Sequence, residues 1–338
     1  MKTRAVLLRE PGKLEITERE LNLADDQVLV KTAYTSICGT DKNIYSGAVS
    51  QEHFNMELHG KGNPLYNNRE VPAMPFWIGH EGGGTVVEVG AKVKEFKPGD
   101  QVISFGWWGT YADYFLSPVS GLEKVPEGLD LKTASLGEPA GCAMFSALNS
   151  GVNLGDTVAV VGTGFAGLVM VQALKKKGAC KVVAVDKSDE KLALARQMGA
   201  DVTLNPDRDD VVHQIIEETG GHGVDVAVEA AGTAESVNTV SAILKHNGIF
   251  VLYSYITRPI TINIGRWHDD SFEIRTTCLV HHTENERHVW VPWVLRPIVQ
   301  GQIDLNPLIT RTFPLEQVQA AFDEVINNPA AVKIMLEP

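Results

Sequence analysis

Two short runs in the middle of the chain, TVAVV (157–161) and KVVAV (181–185), are almost unbroken in apolar residues and rich in valine. Runs of this length and composition are the pattern of parallel strands covered on both faces. Between them, 165–177 is apolar at helical spacing and closes on Gly178. The stretch from Thr157 to Asp186 therefore predicts strand, turn, helix and a second strand that stops on a carboxylate. The alternation continues: 187–200 reads as a helix with Ser188 as its N-cap, 201–205 as a short strand, 209–221 as a helix and 224–232 as a strand. A helix over 234–248 closed by glycine, then strands at 248–254 and 272–280, complete the series. Six strands alternating with helices predict an α/β doubly wound parallel sheet.

The flanks follow another rhythm. RAVLL (4–8), LEITERE (14–20) and QVLVKTAY (27–34) alternate or cluster at strand length, separated by Pro11-Gly12 and Asp25-Asp26 turns. They predict an antiparallel β-rich first domain. A polar, irregular stretch from Ala48 to Pro75 follows. Next come the strand-like TVVEVG (85–90), preceded by Gly82–Gly84 where backbones approach closely, and QVISF (101–105). Residues 119–131 read as a loop and 131–151 as a helix interrupted by Pro139. Toward the end, 284–302 and 315–327 read as helices and VKIML (332–336) as a strand. The expected division is 1–145, 146–280 and a segment 281–338 that returns to the first domain.

Length and composition narrow the class. At 338 residues, the chain is long enough for two cores. A formal charge of −12 argues against a nucleic-acid or anionic-membrane partner. The absence of any bilayer-length apolar run or signal-peptide core, and four scattered cysteines without a C-x-x-C pair, lead us to expect a cytoplasmic protein.

Gly162, Gly164 and Gly167 have G-x-G-x-x-G spacing at the turn after TVAVV. The first permits the bend, the second lets backbone approach a pyrophosphate and the third lets the helix pack on the strand. The N–H groups of its first turn, around Phe165 and Ala166, then face an anion. Asp186 stands nineteen residues after Gly167, where a carboxylate accepts bonds from adenosine ribose hydroxyls and repels a 2′-phosphate. Lys191 is a further candidate for the ribose. Strand, helix and acid in their places point to NAD.

Cys38, His80, Glu81 and Glu138 come from three separate segments and combine thiolate, imidazole and carboxylate, a zinc-type mixture. In chain order, CGTD (38–41), GHE (79–81), EPA (138–140) and the glycine fingerprint resemble the zinc-containing medium-chain dehydrogenase/reductase family. The Glu-Pro of the third motif is similar to its sorbitol, glucose and threonine dehydrogenase branch. The resemblance extends over nearly the whole chain. It implies a GroES-like β-rich catalytic domain beside a Rossmann domain, zinc on Cys38 and His80, and Glu81 and Glu138 as ligands in turn or as holders of the metal water. It also implies Thr40 as the start of the proton path, Asp41 behind the metal site, and a homodimer or homotetramer paired through 272–280.

Three departures from the family pattern stand out. Asn43 replaces the relay histidine of many relatives. The ten residues between Asp100 and Tyr111 contain no cysteine, so one catalytic zinc and no structural zinc is expected. Residues 46–75 form an enlarged loop, with His53 and His59 as possible substrate contacts. Trp107 and Trp108 are candidates for a pocket wall, and His281 and His282 follow the last Rossmann strand. The resemblance, with an enlarged polar loop that suits a hydroxylated ligand, implies hydride transfer between NAD and the secondary hydroxyl of a polyol, sugar or related small polar alcohol, or the corresponding ketone. The alternatives are a metal-free enone or quinone reductase and a non-catalytic NAD-binding protein.

Overall fold

The computed structural model describes residues 1–49, 73–105, 108–256, 259–277 and 294–338, and the chain divides into two compact units. One comprises Met1–Glu138, Arg311–Asn328 and Lys333–Pro338, the other Pro139–Thr310 and Pro329–Val332. No helix among the described residues is long and apolar enough to cross a membrane. His53, His59, Trp107, His281 and His282, with residues 50–72 of the enlarged loop, lie outside the described residues.

In the first unit, the predicted strands form as β1 (Lys2–Glu10), β2 (Lys13–Glu20) and β3 (Gln27–Ser36). They are followed by β4 (Phe76–Trp77), β5 (Glu81–Val89), β6 (Gln101–Phe105), β7 (Tyr114–Pro118) and β8 (Leu122–Lys124). β1 pairs antiparallel with β2 and β4, while β3 takes β5 on one side and β5 continues to β6 and β8. The glycine run of β5 is needed for this pairing, since a Cβ on Gly84 would overlap the Lys31 carbonyl. Val28, Val30, Val86, Val102 and Phe115 close a core on one side of the sheet.

The second unit is a six-stranded sheet of β9 (Thr157–Val161), β10 (Lys181–Val185), β11 (Val202–Leu204), β12 (Val224–Glu229), β13 (Leu244–Leu252) and β14 (Glu273–Thr276). Its order is β11-β10-β9-β12-β13-β14, every neighbouring pair parallel. This is the doubly wound order, whose switch point falls between β9 and β12. Val161, Val183, Ala227 and Phe250 belong to its buried core. Ser188 caps the helix Asp189–Gln197 as expected, its Oγ accepting from Lys191 N–H.

Two boundaries differ from the sequence pattern. Pro139 does not interrupt a helix: the chain forms Leu131–Ala134, turns, and starts a new helix Gly137–Asn149 with the proline in its first turn. A first-turn N–H has no partner within the helix, so losing one there breaks no bond. The helix Ala234–Ile243 ends before Gly248, because Leu244 already pairs with Val224 at the start of β13.

The chain end supplies β15 (Ile309–Pro314), the helix Val318–Asn327 and β16 (Lys333–Glu337). β16 joins β3 antiparallel on the side away from β5, extending the sheet of the first unit to β15-β16-β3-β5-β6-β8.

Candidate functional site

One antiparallel pairing assembles the first site. Ser36, the last residue of β3, lies opposite Glu81, the first of β5. Cys38 follows β3 and leads into the helix Gly39–Tyr45, and His80 precedes β5. From β16, paired with the end of β3 opposite β5, Met335 faces Ser36 and Ile37 N–H donates to the Ile334 carbonyl at 3.0 Å. The same register sets Lys333 opposite Cys38.

Donor atoms of Cys38, His80 and Glu81 lie within 4.8 Å of one another. Glu81 is fully buried, and its Oε2 accepts from Ser36 Oγ and from Lys333 Nζ, the latter at 2.9 Å. Its Oε1 is buried with no hydrogen-bond partner among the described residues. A carboxylate oxygen stripped of water and left unpaired is costly unless a cation takes it. Sulfur, imidazole nitrogen and this free oxygen form a donor set that fits zinc.

His80 Nδ1 lies 3.1 Å from Asp41 Oδ1, which leaves Nε2 as the ring nitrogen free for a metal. Asp41 is completely buried, and its Oδ2 accepts the Cys38 N–H at 3.0 Å and the Tyr111 hydroxyl at 2.7 Å. Burial alone would push the His80 pKa down, but Asp41 and Cys38 outweigh it and hold the ring well above its usual range. Burial and Glu81 push the Cys38 thiol up. Burial also works against charge on Lys333, yet Glu81 and Cys38 keep the ammonium above its ordinary value. A cation entering the cluster would therefore displace protons from Cys38 and His80.

Glu138 is buried in the first turn of Gly137–Asn149 and lies outside the group within 4.8 Å. Its charge helps to keep Lys333 protonated. Thr40 is half-buried in Gly39–Tyr45, next to Asp41. Trp108 sets its ring 4.9 Å from that of His80 and 5.5 Å from that of Phe76, both edge to face, so one tryptophan of the pair packs against the cluster. Two participants were not among the sequence candidates. Lys333 reads as an ordinary lysine near the start of a strand, and its one signal is a cation placed directly before the apolar run Ile334–Leu336. Tyr111 reads as a strand aromatic, and only its fully buried hydroxyl reveals more.

The second site is the turn between β9 and the helix Phe165–Lys177. Gly162 has φ +100°, and a Cβ there would meet the Ala230 and Ala231 backbone at 2.7 Å. A Cβ on Gly167 would overlap the Gly162 carbonyl, whereas one on Gly164 would meet nothing within 4 Å. The three glycines thus serve a bend, an open approach and a close helix packing. Gly164 is the N-cap of Phe165–Lys177, and the first turn of a helix has N–H groups with no carbonyl inside the helix to accept them, the kind of end at which an anion can sit. Asp186 takes Thr163 N–H on Oδ2 at 2.7 Å and Ser188 N–H on Oδ1 at 3.0 Å, so the carboxylate expected at the ribose also fixes the turn. Lys191 is half-buried in the first turn of Asp189–Gln197.

Two family models match the chain: an alcohol dehydrogenase GroES-like domain over residues 24–127 and a zinc-binding dehydrogenase domain over 166–294. The chain is 27% identical to D-arabitol-phosphate dehydrogenase of Enterococcus avium, over 93% of this chain and 90% of that one. Its fold superposes on 2R,3R-butanediol dehydrogenase of Bacillus subtilis with a TM-score of 0.84 at 26% identity, over the full length of both. A protein of Sinorhizobium meliloti 1021, solved bound to NADP, is similar over its full length with a TM-score of 0.82 and 25% identity.

Proposed function

Since the chain belongs to the zinc-containing medium-chain dehydrogenase/reductase family, we propose that it is a zinc- and NAD-dependent dehydrogenase. Its substrate is the secondary hydroxyl of a polyol, sugar or related small polar alcohol, or the matching ketone. The observation that carries this reading is the trio of half-buried Cys38 and buried His80 and Glu81, with Glu81 Oε1 unpaired among the described residues. A metal-free reductase has no use for that arrangement.

Cys38, His80 and Glu81 hold the metal, with Glu138 as a further carboxylate beside them. Zinc at such a site supplies Lewis acidity, lowering the pKa of a coordinated hydroxyl toward neutrality. Thr40 accepts the substrate proton and passes it outward, by a route without a histidine at position 43. Asp41 keeps the Nδ1 proton on His80, and Lys333 balances the charge of Glu81. The glycine turn and the Phe165 helix end bind the cofactor's pyrophosphate, while Asp186 and Lys191 take the adenosine ribose. The Asp186 carboxylate disfavours a 2′-phosphate, which supports NAD even though one structural relative holds NADP. Pairing of two chains along the edge strand β14, with Ile274 exposed on it, gives a homodimer or homotetramer, to be tested by light scattering. The expected site of action is the cytoplasm.

The test is NADH formation with polyols, sugars, hydroxy amino acids and simple alcohols, before and after zinc chelation. Activity toward one class that vanishes on chelation and returns with zinc supports the proposal. Turnover that survives chelation would replace it with the metal-free reductase. Tight NAD binding without turnover, in fully zinc-loaded protein, would favour a binding protein.

A further inference from the structure

Tyr111 connects two of the segments that make up the metal cluster, 36–41 and 79–81. Its ring lies over Gly79 so closely that a Cβ at that glycine, which has φ +95°, would overlap the ring. The residue before the His-Glu pair is therefore fixed by an aromatic from the far end of the β6–β7 connection. The Gly109 N–H, two residues before the tyrosine, donates to the Gly79 carbonyl at 2.7 Å and closes the same contact from the backbone. The Tyr111 hydroxyl lies 2.7 Å from Asp41 Oδ2 and 3.0 Å from the Ser36 carbonyl, so both near partners are acceptors and the shorter contact is to the carboxylate.

That carboxylate has no exposed surface. It is kept in place by three donors: the Cys38 N–H and the Tyr111 O–H on Oδ2, and the His80 Nδ1–H on Oδ1. A buried anion with a full set of partners has a fixed orientation. Removing one donor frees it to turn toward the others. Of the three, only Tyr111 is neither a proposed ligand nor bonded to one, so it can be altered without touching the donor atoms themselves.

We infer that Tyr111 is a positioning residue of the metal centre: its hydroxyl locks Asp41 against His80 and thereby sets the affinity for zinc. This rests on the reading that Cys38, His80 and Glu81 hold zinc. Loss of an outer hydrogen-bonding partner typically weakens metal binding by about 10- to 100-fold. Phenylalanine keeps the ring over Gly79 and removes only the hydroxyl.

The experiment is a double-mutant cycle on the full chain, with zinc affinity read by competition against a chromophoric chelator for the wild type, Tyr111→Phe, Asp41→Asn and the double variant. The expected result is a loss of about tenfold or more in Tyr111→Phe and no further loss when it is added to Asp41→Asn. The thermal midpoint of the metal-free protein, followed in parallel, should change little while the gain on adding zinc shrinks. Cobalt(II) in place of zinc should show shifted ligand-field bands in Tyr111→Phe, which a purely structural role would not produce. Unchanged zinc affinity, or an equal fold-loss in both backgrounds, would overturn the inference. A wild-type chain without measurable zinc affinity would overturn the metal reading itself and this inference with it, and no variant would then be distinguishable from wild type.

Discussion

The dinucleotide turn and the metal cluster are built in opposite ways. The bend, the helix end and the acid that holds both fall in one continuous stretch, which from outside meets the backbone at Ala230–Ala231 and gives the Asp186 N–H to the Leu204 carbonyl. The cluster draws on residues 36–41, 79–81, 111 and 333, and its Lys333–Glu81 ion pair spans 252 positions. The turn is therefore held by local geometry. The cluster depends on β3 being paired correctly on both sides at once.

The two sites should then fail separately. The largest effect is expected from Cys38→Ser or His80→Ala, each removing a donor of the proposed metal site. Losing several kcal/mol of charge stabilisation lowers turnover by about a thousandfold or more. Metal content should fall with it while NAD affinity stays at the wild-type value; a parallel fall in NAD affinity would show that the sites are not independent. Next is Lys333→Met, which leaves a fully buried carboxylate without its cation. Breaking such a pair costs about 3–5 kcal/mol. Denaturant unfolding of the metal-free protein should show this loss, and zinc should recover part of it by taking up the charge of Glu81. Wild-type stability in this variant would mean that the long-range pair contributes nothing.

This difference in construction also decides what could be read from the sequence. β9 and β10 fall where the valine runs put them, and the glycine spacing located the turn, because strand, helix and fingerprint are all local patterns. Cys38, His80 and Glu81 were recognisable only as a set of motifs in order; no periodicity places them within 4.8 Å. Lys333 carried no such motif. Its role follows from the antiparallel register of β16 against β3, strands that lie on either side of the second unit in the sequence. Tyr111 ends a short segment whose legible feature is the lack of cysteine, and its hydroxyl becomes informative only once it is seen to bond Asp41. Pro139 is ambiguous for a simpler reason: a proline marks a helix interruption or a first turn equally well, and only the break after Ala134 decides between them.

Smaller changes at the turn sharpen the contrast from the other side. Gly167→Ala forces a methyl group against the Gly162 carbonyl, and overpacking of this kind costs about 1–3 kcal/mol. NAD affinity should weaken because the helix end moves away from the pyrophosphate, whereas zinc affinity, measured by chelator competition, should not change. A change in zinc affinity would mean that strain at the turn reaches the cluster.

The smallest effect is expected from Ser188→Ala. Its Oγ caps the helix Asp189–Gln197 by accepting Lys191 N–H at 3.3 Å, and loss of an N-cap costs about 1 kcal/mol. The Ser188 backbone N–H, which Asp186 Oδ1 accepts, remains in the variant, and Asp186 Oδ2 still holds Thr163. The cap can therefore be removed while the carboxylate stays in register. Thermal unfolding should register the lost cap, and the proposed preference for NAD over NADP should persist, because on that proposal it depends on the placement of the Asp186 charge. If that preference relaxes, the carboxylate is being oriented by the start of the helix as well as by the turn, and the dinucleotide site would share with the metal cluster a dependence on more than one support.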